Sequence, residues 1–154
     1  MTTHAKTFDF PLSVHWVGGR RTVASVEGKP DLEVATPPEF KGGIEGVWSP
    51  EDLLVGSIAA CFTVTFVAIA ERRDVPLRGL DVAGSGRVTQ RSDGRTGFVE
   101  ATLEVAVTTD PGYEEEATAA AEAAERGCLV ATSLDFPIRL KLDVRTTDPV
   151  GALR

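Results

Sequence analysis

Cysteine and histidine are scarce in this chain, two of each among 154 residues. There is no CxxC, and Cys61, Cys128, His4 and His15 lack the paired spacing of a zinc site, so no metal is expected. A domain of this length already buries roughly 70% of the surface its unfolded chain exposes, so the two cysteines are not needed as structural staples. Basic residues are in deficit, 16 Lys and Arg against 23 Asp and Glu, and the formal charge of −7 repels polyanions. Nucleic acid is therefore not an expected partner. The start of the chain has no apolar run behind a basic segment and no small-residue cleavage site. The expectation is a cytoplasmic protein whose thiols are kept reduced. With 42% apolar and 25% charged residues, the composition is that of a soluble globular domain.

What the chain does have is one long uncharged run, the 18 residues from Leu53 to Ala70. That is the lower edge of a membrane span. Gly56, Ser57, Ala59, Ala60, Thr63 and Thr65 dilute its hydrophobicity, and aromatic or lysine anchors are not present at both ends, so a buried helix is expected and no membrane. Ser49-Pro50-Glu51-Asp52 supplies a cap, a proline suited to the first helical position and two carboxylates for the positive end of the dipole. The pattern predicts a helix over about 50–73, stopped by Pro76. A helix apolar on every face exceeds what one small sheet can cover, which predicts a homodimer.

Before this helix, Phe8, Phe10, Leu12, Val14 and Trp16 alternate as in a strand, Gly18-Gly19 marks a turn, and Thr22 to Val26 resumes the pattern. Gly28 to Asp31 makes a second turn into Leu32-Glu33-Val34, which Pro37-Pro38 ends, and 37–48 reads as loop. After the helix, two strands flank the turn Ser92-Asp93-Gly94-Arg95, with Val99, Ala101, Leu103, Val105 and Val107 on one apolar face. Asp110-Pro111 opens a second helix that Gly127 terminates, and Ile138 to Val144 alternates as a last amphipathic strand. This order predicts an α+β fold, antiparallel sheets around a long central apolar helix. It reads as one domain over 1–154: N-terminal strands and loop in 1–48, the central helix in 49–74, and the hairpin, second helix and last strand in 77–154.

Cys61 falls in the middle of the central helix and Cys128 directly after the second. A free cysteine is usually a small buried hydrophobe. To act as a nucleophile it must be a thiolate, and an unperturbed thiol is only a few per cent ionised at pH 7. Cys61 lies ten residues beyond Glu51, about 15 Å along a helix, so the helix dipole does not reach it and a cation is needed.

Ser49-Pro50-Glu51-Asp52-Leu53-Leu54 followed by Ala59-Ala60-Cys61-Phe62 resembles the first-cysteine signature of the OsmC/Ohr family, the osmotically inducible and organic hydroperoxide resistance proteins. Gly18-Gly19-Arg20 resembles the family's arginine loop, Glu51 stands ten positions before the cysteine, and Gly127-Cys128 stands where a second cysteine follows the second helix. Cys128 is followed by Leu129-Val130-Ala131-Thr132, where the family usually has proline. The resemblance implies an intertwined homodimer with active sites at its interface and a thiol peroxidase chemistry. In it Cys61 attacks an organic hydroperoxide, Arg20 activates the thiolate, Glu51 orients the arginine, and Cys128 resolves the sulfenate as a disulfide. An external dithiol, lipoyl or another, then reduces the disulfide, and no bound cofactor is implied. Arg21 adjoins Arg20, and on a strand the two point to opposite faces, so only one of them faces the site. The rival reading is a non-catalytic dimer that binds apolar small molecules between its subunits. Helix geometry further predicts that Glu51, too far from Cys61 of its own helix, serves the partner's cysteine.

Overall fold

A computed structural model describes residues 6–147 of the chain; His4 lies outside the described residues. The chain divides at Leu53 into two compact units.

In the first unit, β1 (Ser13–Gly18), β2 (Arg21–Ser25) and β3 (Leu32–Ala35) form an antiparallel sheet in that order. Gly18 and Gly19 close the first turn at φ +116° and +54°, conformations that cost a residue with a Cβ far more. The predicted N-terminal strand begins later than its pattern, at Ser13. Phe8, Phe10, Leu12, Val14 and Trp16 are all exposed, so the alternation marks an apolar stripe that this unit does not bury. The loop after β3 is ordered: the Phe40 amide donates to Pro37, Gly43 to Phe40 and Ile44 to Thr36. It brings Trp48 beside Val34, where the Trp48 carbonyl accepts the Ala35 amide at 2.8 Å, and so delivers Ser49 to the helix start.

Helix α1 (Pro50–Arg72) begins in this unit and continues into the second. Ser49 and Asp52 cap it reciprocally. The Asp52 amide donates to Ser49 Oγ at 3.0 Å, and the Asp52 carboxylate accepts the Ser49 amide at 2.9 Å and its hydroxyl at 2.8 Å. The stop lies ahead of Pro76. Asp74 takes a left-handed φ of +54°, and the Val75 amide turns back to the Ala70 carbonyl, a closure that also buries Val75.

In the second unit, β4 (Leu77–Gln90) and β5 (Thr96–Thr109) form the expected antiparallel hairpin, and β6 (Ile138–Thr146) lies parallel to β5. Antiparallel pairing thus holds for the first sheet and for the hairpin. The last strand arrives parallel because α2 (Glu114–Gly127) and the single turn α3 (Leu129–Thr132) carry the chain back along the sheet. A bulge also revises the predicted apolar face. Arg87 pairs with Glu100 but Val88 with Phe98, which leaves Val99 as the extra residue, and Phe98 continues the inner face against Phe136, ring centroids 5.8 Å apart.

The core joins Ile58, Phe62, Phe66 and Ile69 of α1 to Ala101, Leu103, Val105 and Val107 of β5 and to four alanines of α2. The opposite face of the sheet is charged and wet, with Glu100 between Arg87 and Arg139, and Glu104 beside Lys141. Helix α1 is long and apolar enough to cross a membrane by length and composition, yet only 28% of its apolar stretch is buried. The expectation of a buried helix therefore holds for one face. Gly56, Ala60, Val64 and Ala68 are exposed in the single chain, because one three-stranded sheet covers only one side of a helix.

Candidate active site

Cys61 projects from α1, half-buried, and Cys128 is fully buried at the junction of α2 and α3. The fold brings the two thiols, 67 residues apart in sequence, close to one another, and neither is in a disulfide.

Their environments drive their acidities apart. Burial pushes the Cys61 thiol up. Against it, the Val130 amide, the Cys128 thiol, the Thr65 hydroxyl and the Leu129 amide all donate toward its sulfur, and together they hold its pKa below the ordinary thiol value. For Cys128 burial dominates and the neighbouring Cys61 charge adds to it, so its thiol is pushed up despite the Ala131 and Val130 amides. The first proton to leave is that of Cys61, and Cys128 remains its protonated donor. The amides come from the first turn of α3, whose backbone N–H groups have no partner inside the helix and are free for an anion.

Arg20 and Glu51 belong to the first unit. Arg20 is exposed, at the turn between β1 and β2, with its side chain alongside Gly42. Arg21, the alternative, is engaged across the sheet by Glu33 of β3. Glu51 stands in the first turn of α1, and its Oε2 is buried without a hydrogen-bond partner, the one such side-chain atom among the described residues. A carboxylate oxygen held away from water in this way is costly unless a donor reaches it.

Two contributors were missed by the sequence reading. The α3 amides carry no sequence signal, because their use depends on the turn that follows Cys128. Thr65 was legible, being four residues beyond Cys61 and therefore on the same helix face. A cavity of about 20 Å³ lies behind Cys128, among Ile58, Phe62, Leu103 and Leu140, room for a single water at most. On the surface, Val64, three residues beyond Cys61, and Leu129, directly after Cys128, are 65% and 69% exposed. Among the described residues no three His, Cys, Asp or Glu side chains gather as a metal site would require.

The family described as OsmC-like protein matches residues 43–143. An uncharacterized protein of Bacillus subtilis, YmaD, is 31% identical over 80 residues; the match spans about half of each, 51% of this chain and 53% of that protein. Among solved structures, an OsmC-like protein of unknown function from Vibrio cholerae superposes with a TM-score of 0.82 at 15% identity, covering 89% of this chain and 100% of that one. An organic hydroperoxide resistance protein from Legionella pneumophila gives 0.71 at 22% identity, over 91% and 98% of the two chains. At these identities the superpositions speak for a shared fold.

Proposed function

The chain belongs to the OsmC/Ohr family, and on that basis we propose that it is a cytoplasmic thiol peroxidase that reduces organic hydroperoxides as a homodimer. The observation that carries this reading is the pair of adjacent thiols with divergent acidities, Cys61 more acidic than an ordinary thiol and Cys128 less so. That is the division of labour between an attacking and a resolving cysteine.

In the first step the Cys61 thiolate attacks the terminal oxygen of ROOH. The O–O bond breaks, the sulfur is oxidised to the sulfenic acid, and RO⁻ leaves to take a proton as ROH. In the second, the Cys128 sulfur displaces hydroxide from the Cys61 sulfenic acid, and the hydroxide takes up the Cys128 thiol proton, giving the Cys61–Cys128 disulfide and water. An external dithiol, lipoyl or another, then exchanges with the disulfide, becomes oxidised and returns both thiols. The exposed apolar side chain of Leu129 suits a hydroperoxide carried on a hydrocarbon, and the small cavity beside Cys128 does not.

Arg20 is the activating cation in this reading and Glu51 the carboxylate that orients it. The engagement of Arg21 by Glu33 and the partnerless buried oxygen of Glu51 support the assignment. The exposed apolar stripes of α1 and β1 support the dimer. The family match crosses the boundary between the two units, which supports reading 1–154 as one domain.

Anaerobic titration of the reduced protein with cumene hydroperoxide, followed by intact mass, tests the proposal. The expected result is loss of two hydrogens per chain at one equivalent, with Cys61→Ser inert and Cys128→Ser gaining oxygen instead. Inert thiols in the unaltered protein would defeat it and favour a dimer that only binds apolar molecules.

A further inference from the structure

We propose that the external dithiol re-reduces the Cys61–Cys128 disulfide by attacking the Cys61 sulfur, so that the mixed disulfide forms on Cys61 and Cys128 is the leaving thiol. The inference rests on the peroxidase reading, which supplies the disulfide, and assigns the sulfur at which the reductant enters.

Acidity and access point to opposite outcomes for the two sulfurs. Thiol–disulfide exchange is faster when the more acidic thiol leaves. Cys61 is the more acidic of the pair, so acidity alone would release Cys61 and put the reductant on Cys128. Access reverses that choice. Cys128 is 1% exposed, whereas Cys61 keeps part of its surface in solvent. The space beside Cys128 is the cavity of about 20 Å³ among Ile58, Phe62, Leu103 and Leu140, enough for one water and too small for a carbon-bound thiol. A leaving-group preference changes the rate of an attack that can occur, and a closed sulfur receives none.

The burial of Cys128 is built into the fold. Before it, the buried Ala117, Ala120, Ala121 and Ala124 seat α2 in the core, and after it the Thr132 amide donates to the Cys128 carbonyl at 3.0 Å. A second chain packed on this one removes exposure and adds none, so Cys128 stays closed in a homodimer. In the exchange, one thiol of the reductant, as thiolate, bonds to the Cys61 sulfur while the Cys61–Cys128 bond breaks. The electron pair leaves on Cys128, which takes up a proton. The reductant's second thiol, having lost its proton, then attacks the reductant's own sulfur in the mixed disulfide. Cys61 departs as thiolate, and the reductant leaves as its disulfide, oxidised by two electrons.

The test uses wild-type protein whose disulfide is closed with diamide, so it does not depend on peroxide turnover. Brief exposure to mercaptoethanol, a single-thiol probe, is stopped with acid, and the freed thiols are capped with N-ethylmaleimide before peptide mass mapping. The expected result at the earliest times is mercaptoethanol on the Cys61 peptide and maleimide on the Cys128 peptide. In urea, where the fold no longer shields Cys128, both adducts should form. The reverse pattern in the folded protein, or equal amounts of the two, would overturn the proposal, and so would a Cys61 adduct that stays exclusive in urea. Failure of diamide to link the two cysteines would overturn it as well. If diamide closes the disulfide yet cumene hydroperoxide leaves the reduced thiols untouched, the peroxidase reading fails, and the mapping still decides where a reductant enters.

Discussion

A thiol on an apolar helix ordinarily becomes harder to ionise, and both cysteines feel that burial. What separates them is the number of donors each sulfur has. Cys61 faces two amides, a hydroxyl and a thiol, which outweigh its desolvation; Cys128, more deeply buried and beside the Cys61 charge, is left above the ordinary value. Because the folded pKa of Cys61 is depressed, its thiolate survives as pH falls from alkaline toward neutral and is lost only on passing through the lowered value. Because that of Cys128 is raised, its thiol persists as pH rises and is lost only beyond the free-thiol range. The stability linkage follows the same signs: ionisation of Cys61 stabilises the fold above its unfolded pKa, and the protonated Cys128 contributes a term that vanishes as pH climbs through its folded pKa. Alkylation of the reduced protein, resolved peptide by peptide, should therefore reach half-maximal rate at a lower pH for Cys61 than for Cys128. Coincident profiles would mean that the local donors do not discriminate between the two. The cysteines and the Ser49-Pro50-Glu51 segment were legible in the sequence because they are chemically distinctive at fixed spacing. The donors that tune Cys61 were not, since two of them are backbone groups that any residue could supply.

At the scale of elements, α1 can lie close to β4 only because Gly84 and Gly86 have no side chains. A Cβ on Gly86 would fall 2.5 Å from Phe98 Cε1 and 2.9 Å from Val55 Cγ2. Phe98 has little room to retreat, being stacked on Phe136. Gly86→Ala should therefore destabilise the protein by about 1–3 kcal/mol, the usual range for overpacking, as a lower midpoint in urea with unchanged slope. An unaffected midpoint would show that Val55 or Phe98 repacks freely. Ser49→Ala removes one side of the capping box and should cost about 1 kcal/mol by the same measurement. Element order, the helix start and the wet and dry faces of the last strand were all readable, because capping residues and period-two alternation act locally. The direction of β6 and the bulge at Val99 were not. Parallel pairing depends on where α2 and α3 return the chain, and the bulge depends on how Phe98 meets Phe136, neither of which a single segment encodes.

At the scale of the molecule, α1 poses a problem of coverage that its own chain does not solve. Gly56, Ala60, Val64 and Ala68 recur every fourth residue along its exposed side, and such a row of small residues lets a second helix approach closely. A partner's α1 on that row would hide the apolar surface and change which residues meet at each cysteine. Glu51 lies ten residues before Cys61, about 15 Å down the axis and roughly 80° around it, so its carboxylate does not reach the sulfur of its own helix without an arginine stretched across most of the gap. With two α1 helices packed together, the first turn of one can lie beside the middle of the other, and the Arg20–Glu51 pair of one chain can serve Cys61 of its partner. A mixture of Cys61→Ser and Glu51→Ala chains decides the matter. In the crossed arrangement, a mixed dimer puts both lesions into one site and leaves the other with an intact cysteine and an intact glutamate. Equimolar exchange should then restore about a quarter of the wild-type sites, where each variant alone is strongly impaired. Verified exchange without recovery would return Glu51 to the cysteine of its own chain and require Arg20 to span the distance.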